Sequence, residues 1–284
     1  HIGFNFDQAI VSDSFAYVLL YQRLGTKGLI LKKGEILREI NRSYYQSDVY
    51  EYPAAFTTLE TGQEILIHCP NEYRQIEIEE IETGRRLTES SNRETDDIFH
   101  SRFQVSPDRA FLLNRGWVWH PYDTIHLYDI AEGLRHPSTL DKSGLRPETG
   151  TEINAAVFLD NDQILLGASK EEALDEEAAQ RLPPGKIAVW HFQENRLSHA
   201  FAAPAKIGNF FPINSHLVWD MYEFPKILDI NKGQIIWENR EIYSGKQSSS
   251  IIHHVLPLPI LCHNHQTNQM AIYKDGKIDI LTVI

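Results

Sequence analysis

The stretch TIHLYDIAEG at 124–133 recurs in degenerate form as PKILDINKG at 225–233 and as QIEIEEIETG at 75–84. Each copy alternates apolar and polar positions, then carries an acidic residue, Ile, two polar or small positions and a Gly. Period-two alternation sends one set of side chains to a buried face and the other away from it, which describes a strand. The closing Gly supplies a tight turn into the next strand. Looser copies lie at 28–34, 186–191 and 269–276.

A second apolar run precedes each copy, at 16–21, 64–68, 110–113, 163–167, 216–219 and 259–262. Before that run comes a looser strand ending in a turn, clearest at FQVSPD (103–108), and after the third strand comes a fourth, as in GQIIWE (233–238). Four antiparallel strands recurring every ~40 to 50 residues predict an all-β chain, a single β-propeller. The spans give six four-stranded blades at 1–41, 42–91, 92–141, 142–204, 205–242 and 243–284. The count becomes seven if Ile2–Phe6 and Asp279–Ile284 share a closing blade. Terminal segments are expected to close the ring, because an open sheet edge invites aggregation.

The turn Val105-Ser106-Pro107-Asp108, with the strand ends LYDI (127–130) and IAVWH (187–191), resembles WD40-type propellers, and the likeness in architecture covers essentially the whole chain. The histidine of that family's Gly-His element and its Trp-Asp dipeptide are missing from most repeats. Trp219-Asp220 is such a pair, but it falls in a second strand rather than at the end of a third. The resemblance therefore implies a WD40-like fold without the family's hydrogen-bond relay. One segment breaks the β rhythm: SKEEALDEEAAQRL (169–182) opens on a Ser cap, carries Glu in its first turn and stops at Pro183-Pro184-Gly185, which predicts a short acidic helix near 170–182.

The formal charge of −12 argues against a nucleic-acid partner, whose phosphates are bound through an excess of Lys and Arg. It leaves basic partners as a secondary reading. No apolar run approaches the ~18 residues that span a bilayer, and the longest, Val255–Cys262, is broken by Pro257 and Pro259. Two cysteines leave room for at most one bridge and fit a reducing cytoplasm. The chain opens on His1, which leaves room for a signal peptide or a further domain in a longer protein.

In a propeller the connections between strands two and three share a face with those between blades. On that expected face stand CPNEY (69–73), GWVWHPYD (116–123), DMYEFP (220–225), HNHQ (263–266), YYQSDVYEYP (44–53) and DDIFH (96–100). Aromatic and acidic residues concentrate there, whereas the opposite turns are plain Gly, Asp and Asn turns. Tyr and Trp dominate binding hot spots. The expected contact residues are Tyr50, Tyr52, Glu72, Tyr73, Trp117, Trp119, His120, Tyr122, Asp123, Tyr222 and Glu223, the tyrosines being read as surface residues. Trp117 and Trp119, two apart on a strand, serve packing between blades equally well.

Catalytic patterns are sparse. No Gly-x-Ser-x-Gly, phosphate-binding glycine loop or dinucleotide motif is present. His263 and His265 can chelate together, but a metal would need a third ligand from His68, His100 or His120, and no HxxxH or CxxC spacing supports one. Neither metal nor cofactor is expected. The leading reading is a non-enzymatic module that recognises a protein partner through the aromatic and acidic face. The alternative is a propeller enzyme acting on a small molecule or glycan, using carboxylates such as Glu51, Glu72, Asp97, Asp123, Asp220 and Glu223 as acid and base, with or without a metal, at the channel mouth.

Overall fold

A computed structural model describes residues 5–91, 93–170 and 181–283. Its backbone packs as two compact units, His1–Arg146 and Pro147–Ile284. Strands dominate the described residues, and they gather into six small antiparallel sheets in which every strand pairs with its neighbour in sequence. Among the described residues no helix is long and apolar enough to cross a membrane.

Three sheets belong to the first unit. The first joins β1 (Gln8–Val11), β2 (Tyr17–Tyr21), β3 (Lys27–Lys32) and β4 (Glu35–Asn41); the second joins β5 (Ala54–Thr58), β6 (Glu64–His68) and β7 (Glu77–Glu80); the third joins β8 (Gln104–Val105), β9 (Phe111–Val118) and β10 (Tyr122–Asp129). In the second unit, the first sheet comprises β11 (Ile153–Phe158), β12 (Gln163–Ala168), β13 (Lys186–His191) and β14 (Arg196–Ala202). Next comes β15 (Phe210–Pro212) with β16 (Leu217–Asp220), β17 (Lys226–Asp229) and β18 (Gln234–Glu238), then β19 (Ile260–Asn264) with β20 (Gln269–Lys274) and β21 (Lys277–Thr282). Two of the hairpins close on Lys33-Gly34 and Asp275-Gly276, where all four residues have positive φ. That is the type I′ turn, whose twist matches the strands it joins.

Within each unit the middle sheet is covered on both faces. Leu66 of β6 packs with Leu19, Ile30 and Tyr52 on one side, while Ile65 and Ile67 pack with Phe103, Leu112 and Tyr128 on the other. The second unit repeats this: Val218 and Leu228 meet Leu165 and Val189, and Trp219 and Ile227 meet Met270 and Ile272. Each such Leu, Ile or Val contributes about 1.5–3 kcal/mol by leaving water. The outer strands β4, β14, β18 and β21 are largely exposed, so the inner strands carry the core.

Four strands per repeat hold for only three of the six described sheets. After β7 the chain turns at Thr83-Gly84 and runs back only briefly, Glu80 N–H to Arg85 O at 2.9 Å and Leu87 N–H to Ile78 O at 2.7 Å. After β10 the expected Gly turn is instead a helix, α1 (Ile130–Arg135), followed by a 3-10 turn at Pro137–Leu140. Asp129 caps α1 by accepting the Glu132 N–H at 2.8 Å, and Ile130 seats the helix on the core. The acidic helix expected near 170–182 falls on residues 171–180, outside the described residues. Cys69 is buried, Cys262 is exposed, and both are free thiols.

Candidate functional site

The stretch 116–123 is a hairpin rather than a long connection. Gly116, Trp117 and Val118 belong to β9, Tyr122 and Asp123 to β10, and only Trp119-His120-Pro121 forms the tip. His120 takes a positive φ of 91° there and is exposed. On its other side β9 is joined by Phe99, whose N–H reaches Trp117 O at 2.9 Å and whose carbonyl takes the Trp117 N–H at 3.1 Å. Gly116 makes this approach possible, because a Cβ at that position would lie 2.0 Å from Phe99 O.

From that bridge an aromatic pile rises to the surface. Phe99 stacks on Trp117 with ring centroids 3.8 Å apart, Tyr73 stacks on Phe99 at 4.3 Å, and Tyr45 leans on Tyr73 at 5.1 Å. Trp119 meets Phe99 and Trp117 edge-on at 5.2 and 5.3 Å. Such offset and edge contacts contribute about 0.5–1.5 kcal/mol each beyond area burial. The base is buried and the top is open: Trp117 is 2% exposed, Tyr45 41% and Trp119 43%. The Tyr73 hydroxyl donates to Asp97, which fixes the ring in the middle of the pile.

Four expected contact residues are interior. Tyr50 and Tyr52, read as surface tyrosines, are each 1% exposed. Arg42 explains why. Its guanidinium donates to Gly25 O (2.6 Å), Ser47 O (2.6 Å) and Tyr50 O (2.9 Å) and lies 4.7 and 5.1 Å from the Tyr50 and Tyr52 ring centroids. Burial lowers the pKa of Arg42, partly offset by the two tyrosines. Trp117 is the floor of the pile. Asp123, opposite Trp117 in the ladder, is a buried countercharge 3.9 Å from the Arg102 guanidinium. Arg102 and Arg115 exchange bonds to each other's carbonyls at 3.1 and 2.8 Å, and burial lowers both, Arg115 to about 9.

What remains at the surface of this unit is Glu72, Tyr73, Trp119, His120 and Tyr122, exposed or half-buried. An open groove of about 630 Å³ lies beside the pile, lined by Lys27, Arg42, Tyr44, Tyr45, Asn71 and Glu72 among others. Its volume falls in the range of ligand-binding clefts. Tyr44 is 84% exposed. Lys27 is paired with Glu39 at 2.5 Å, and Asn71 Oδ1 takes a bond from Arg86 at 3.0 Å. Sequence reasoning placed Tyr44, Tyr45 and Phe99 in the right segments but did not single them out. The adjacent Tyr44-Tyr45 pair was the available signal.

In the second unit Tyr222 and Glu223 are half-buried and engaged within the chain: Lys206 Nζ lies 5.0 Å from the Tyr222 ring centroid, and Lys246 is 3.2 Å from Glu223. Their loop is tied from inside by Asp220, which accepts the N–H groups of Gly208 (2.9 Å) and Tyr222 (3.0 Å), and by Lys226, which donates to Tyr222 O and, at 3.0 Å, to Phe224 O. His263 is half-buried, 5.8 Å from the Phe211 ring, and burial lowers its pKa to about 4. His265 is exposed in the following turn. Among the described residues no group of three or more His, Cys, Asp or Glu is placed to hold a metal ion.

Compared with known proteins, the chain matches no family model and no curated sequence.

Proposed function

We propose that this chain is a WD40-like β-propeller acting as a non-enzymatic binding module that recognises a protein partner through its aromatic and acidic face. Three small sheets stacked in chain order within each unit support the propeller reading. The observation that carries the binding reading is the aromatic pile. It rests on a buried Trp117, is braced by backbone bonds and ends in exposed Trp119 and in exposed Tyr45, which lines a groove. Exposed aromatics held rigidly lose little entropy on contact, which is what binding hot spots need.

The test is partner capture by cross-linking, with the double variant Tyr44→Ala/Trp119→Ala beside the wild type. Capture falls at least tenfold. Tyr44→Ala alone weakens capture severalfold while moving the melting temperature by less than about 2 °C, because surface substitutions stay within about 0.5 kcal/mol. Trp119→Ala also gives up two edge contacts of about 0.5–1.5 kcal/mol each and lowers it by several degrees. Tyr50→Ala gives the contrast, lowering the melting temperature by several degrees as a large-to-small change in a packed site. Undiminished capture by the double variant refutes the proposed contact surface.

A further inference from the structure

The groove beside the aromatic pile has chemistry that selects among protein ligands. This inference rests on the binding reading above and specifies it: we propose that the groove takes an extended, proline-rich segment of the partner with a basic residue at one flank. Three features of the site support this occupant. The pile Trp117–Phe99–Tyr73–Tyr45 ends at Tyr45, which is 41% exposed and lines the groove. A flat, rigid ring can extend such a stack at small entropic cost, and aromatic-lined grooves are the known receptors of polyproline II segments. A polyproline helix has no internal hydrogen bonds, and proline brings no N–H, so its receptor must offer donors to the ligand's carbonyls. The groove offers them: the Tyr44 and Tyr45 hydroxyls and the Asn71 amide, whose oxygen Arg86 already occupies.

The third feature is charge. Lys27 is neutralised by Glu39, and Arg42 spends its Nε and Nη2 on backbone carbonyls beneath the surface. Glu72 is exposed on the groove wall and makes no ion pair among the described residues. Asp97, also exposed, lies next along the pile, held by Tyr73. Glu72 is therefore an exposed charge at this wall that neither the paired Lys27 nor the buried Arg42 compensates, and it complements a basic flank, as does the net charge of −12.

The experiment uses dye-labelled synthetic peptides and fluorescence anisotropy against the whole chain: hexaproline with one terminal arginine, hexaproline without it, and hexaalanine with the arginine. The expected result is saturable binding of both proline peptides, the arginine-bearing one about threefold tighter, and at least tenfold weaker binding of the alanine peptide. Tyr45→Ala weakens both proline peptides at least tenfold. Tyr44→Ala, at a more exposed position, weakens them severalfold with an unchanged melting temperature, so a folding defect in the first variant does not decide the matter. Glu72→Gln removes the arginine advantage and leaves plain hexaproline unchanged. No saturable binding to the wild type, equal binding of the alanine peptide, or indifference to both tyrosine variants overturns the proposal. A soluble hexasaccharide that binds with the same tyrosine dependence while the proline peptides do not also overturns it, assigning the groove to sugars. If the peptides fail but Trp119→Ala still abolishes partner capture, the binding reading stands and only its occupant is wrong.

Discussion

Lowering the pH from 7 to 5 costs the first unit about 4 kcal/mol of folding stability, through two histidines buried in their neutral form. His100 and His126 are 1% and 2% exposed and flank the Tyr128 ring, at 6.0 and 6.4 Å. Burial lowers His100 to about 4, against the opposing pull of the Arg74 carbonyl, 3.2 Å from Nε2, and of Asn114. Burial lowers His126 to about 3, helped by His100 and Arg146 and opposed by Asp96. In the unfolded chain both titrate near about 6.5. Between that value and the folded pKa values the unfolded state binds protons that the folded state does not, so stability is fully present above about pH 6.5 and falls as the pH drops. The loss approaches about 1.4 kcal/mol per pH unit for each ring. The paired carboxylates Glu79 and Asp96 have lowered folded pKa values, so their contribution is lost only below about 4.5, outside this window. Denaturant midpoints at pH 7, 6 and 5 measure the effect. His126→Gln halves the slope, and a midpoint that stays level from pH 7 to 5 contradicts the buried neutral pair. Against a total of about 5–15 kcal/mol, the loss is a large fraction of what holds a domain together.

Replacing Gly116 with Ala is the most damaging single-methyl change available on the candidate surface. The added Cβ meets Phe99 O at 2.0 Å, and that oxygen belongs to backbone pinned by two bonds to Trp117. Relief requires Phe99 to withdraw, which breaks the bridge and unstacks the 3.8 Å ring pair at the foot of the pile. We expect a loss of about 3 kcal/mol or more and a fall in melting temperature of roughly 6–12 °C. The near-ultraviolet circular dichroism of the tryptophans should change with it. Gly276→Ala separates steric conflict from backbone strain: its φ is +79° but nothing lies within 4 Å of an added Cβ, so it costs only about 1 kcal/mol. Equal melting temperatures for the two variants contradict the close-approach account.

The strands were legible because alternation is a local signal, and the runs read as second and third strands appear as β2, β6, β9, β12, β16 and β19 with their partners. What followed the third strand was less legible. Asp129 and Asp229 start the same local motif, each accepting the N–H three residues on, at 2.8 and 3.0 Å. After Asp229 the residues Asn231-Lys232-Gly233 turn at a positive φ into β18, whereas Ala131 and Glu132 are helix formers and carry the chain into α1 instead. The tyrosine expectations failed for a non-local reason. Tyr50 and Tyr52 look like rim residues until Arg42, eight and ten positions upstream, folds over both rings. Trp119, which the sequence left open between packing and contact, does both: its ring meets Phe99 and Trp117 edge-on and is 43% exposed.

The two thiols turn this arrangement into a clock. Cys262 is exposed on β19 in the second unit, whereas Cys69 is buried in the core of the first, its pKa raised by that burial. Under native conditions a thiol reagent therefore consumes one equivalent at once, and the second only as fast as the first unit opens. The lag between the two measures how often that unit breathes, with no engineered probe needed.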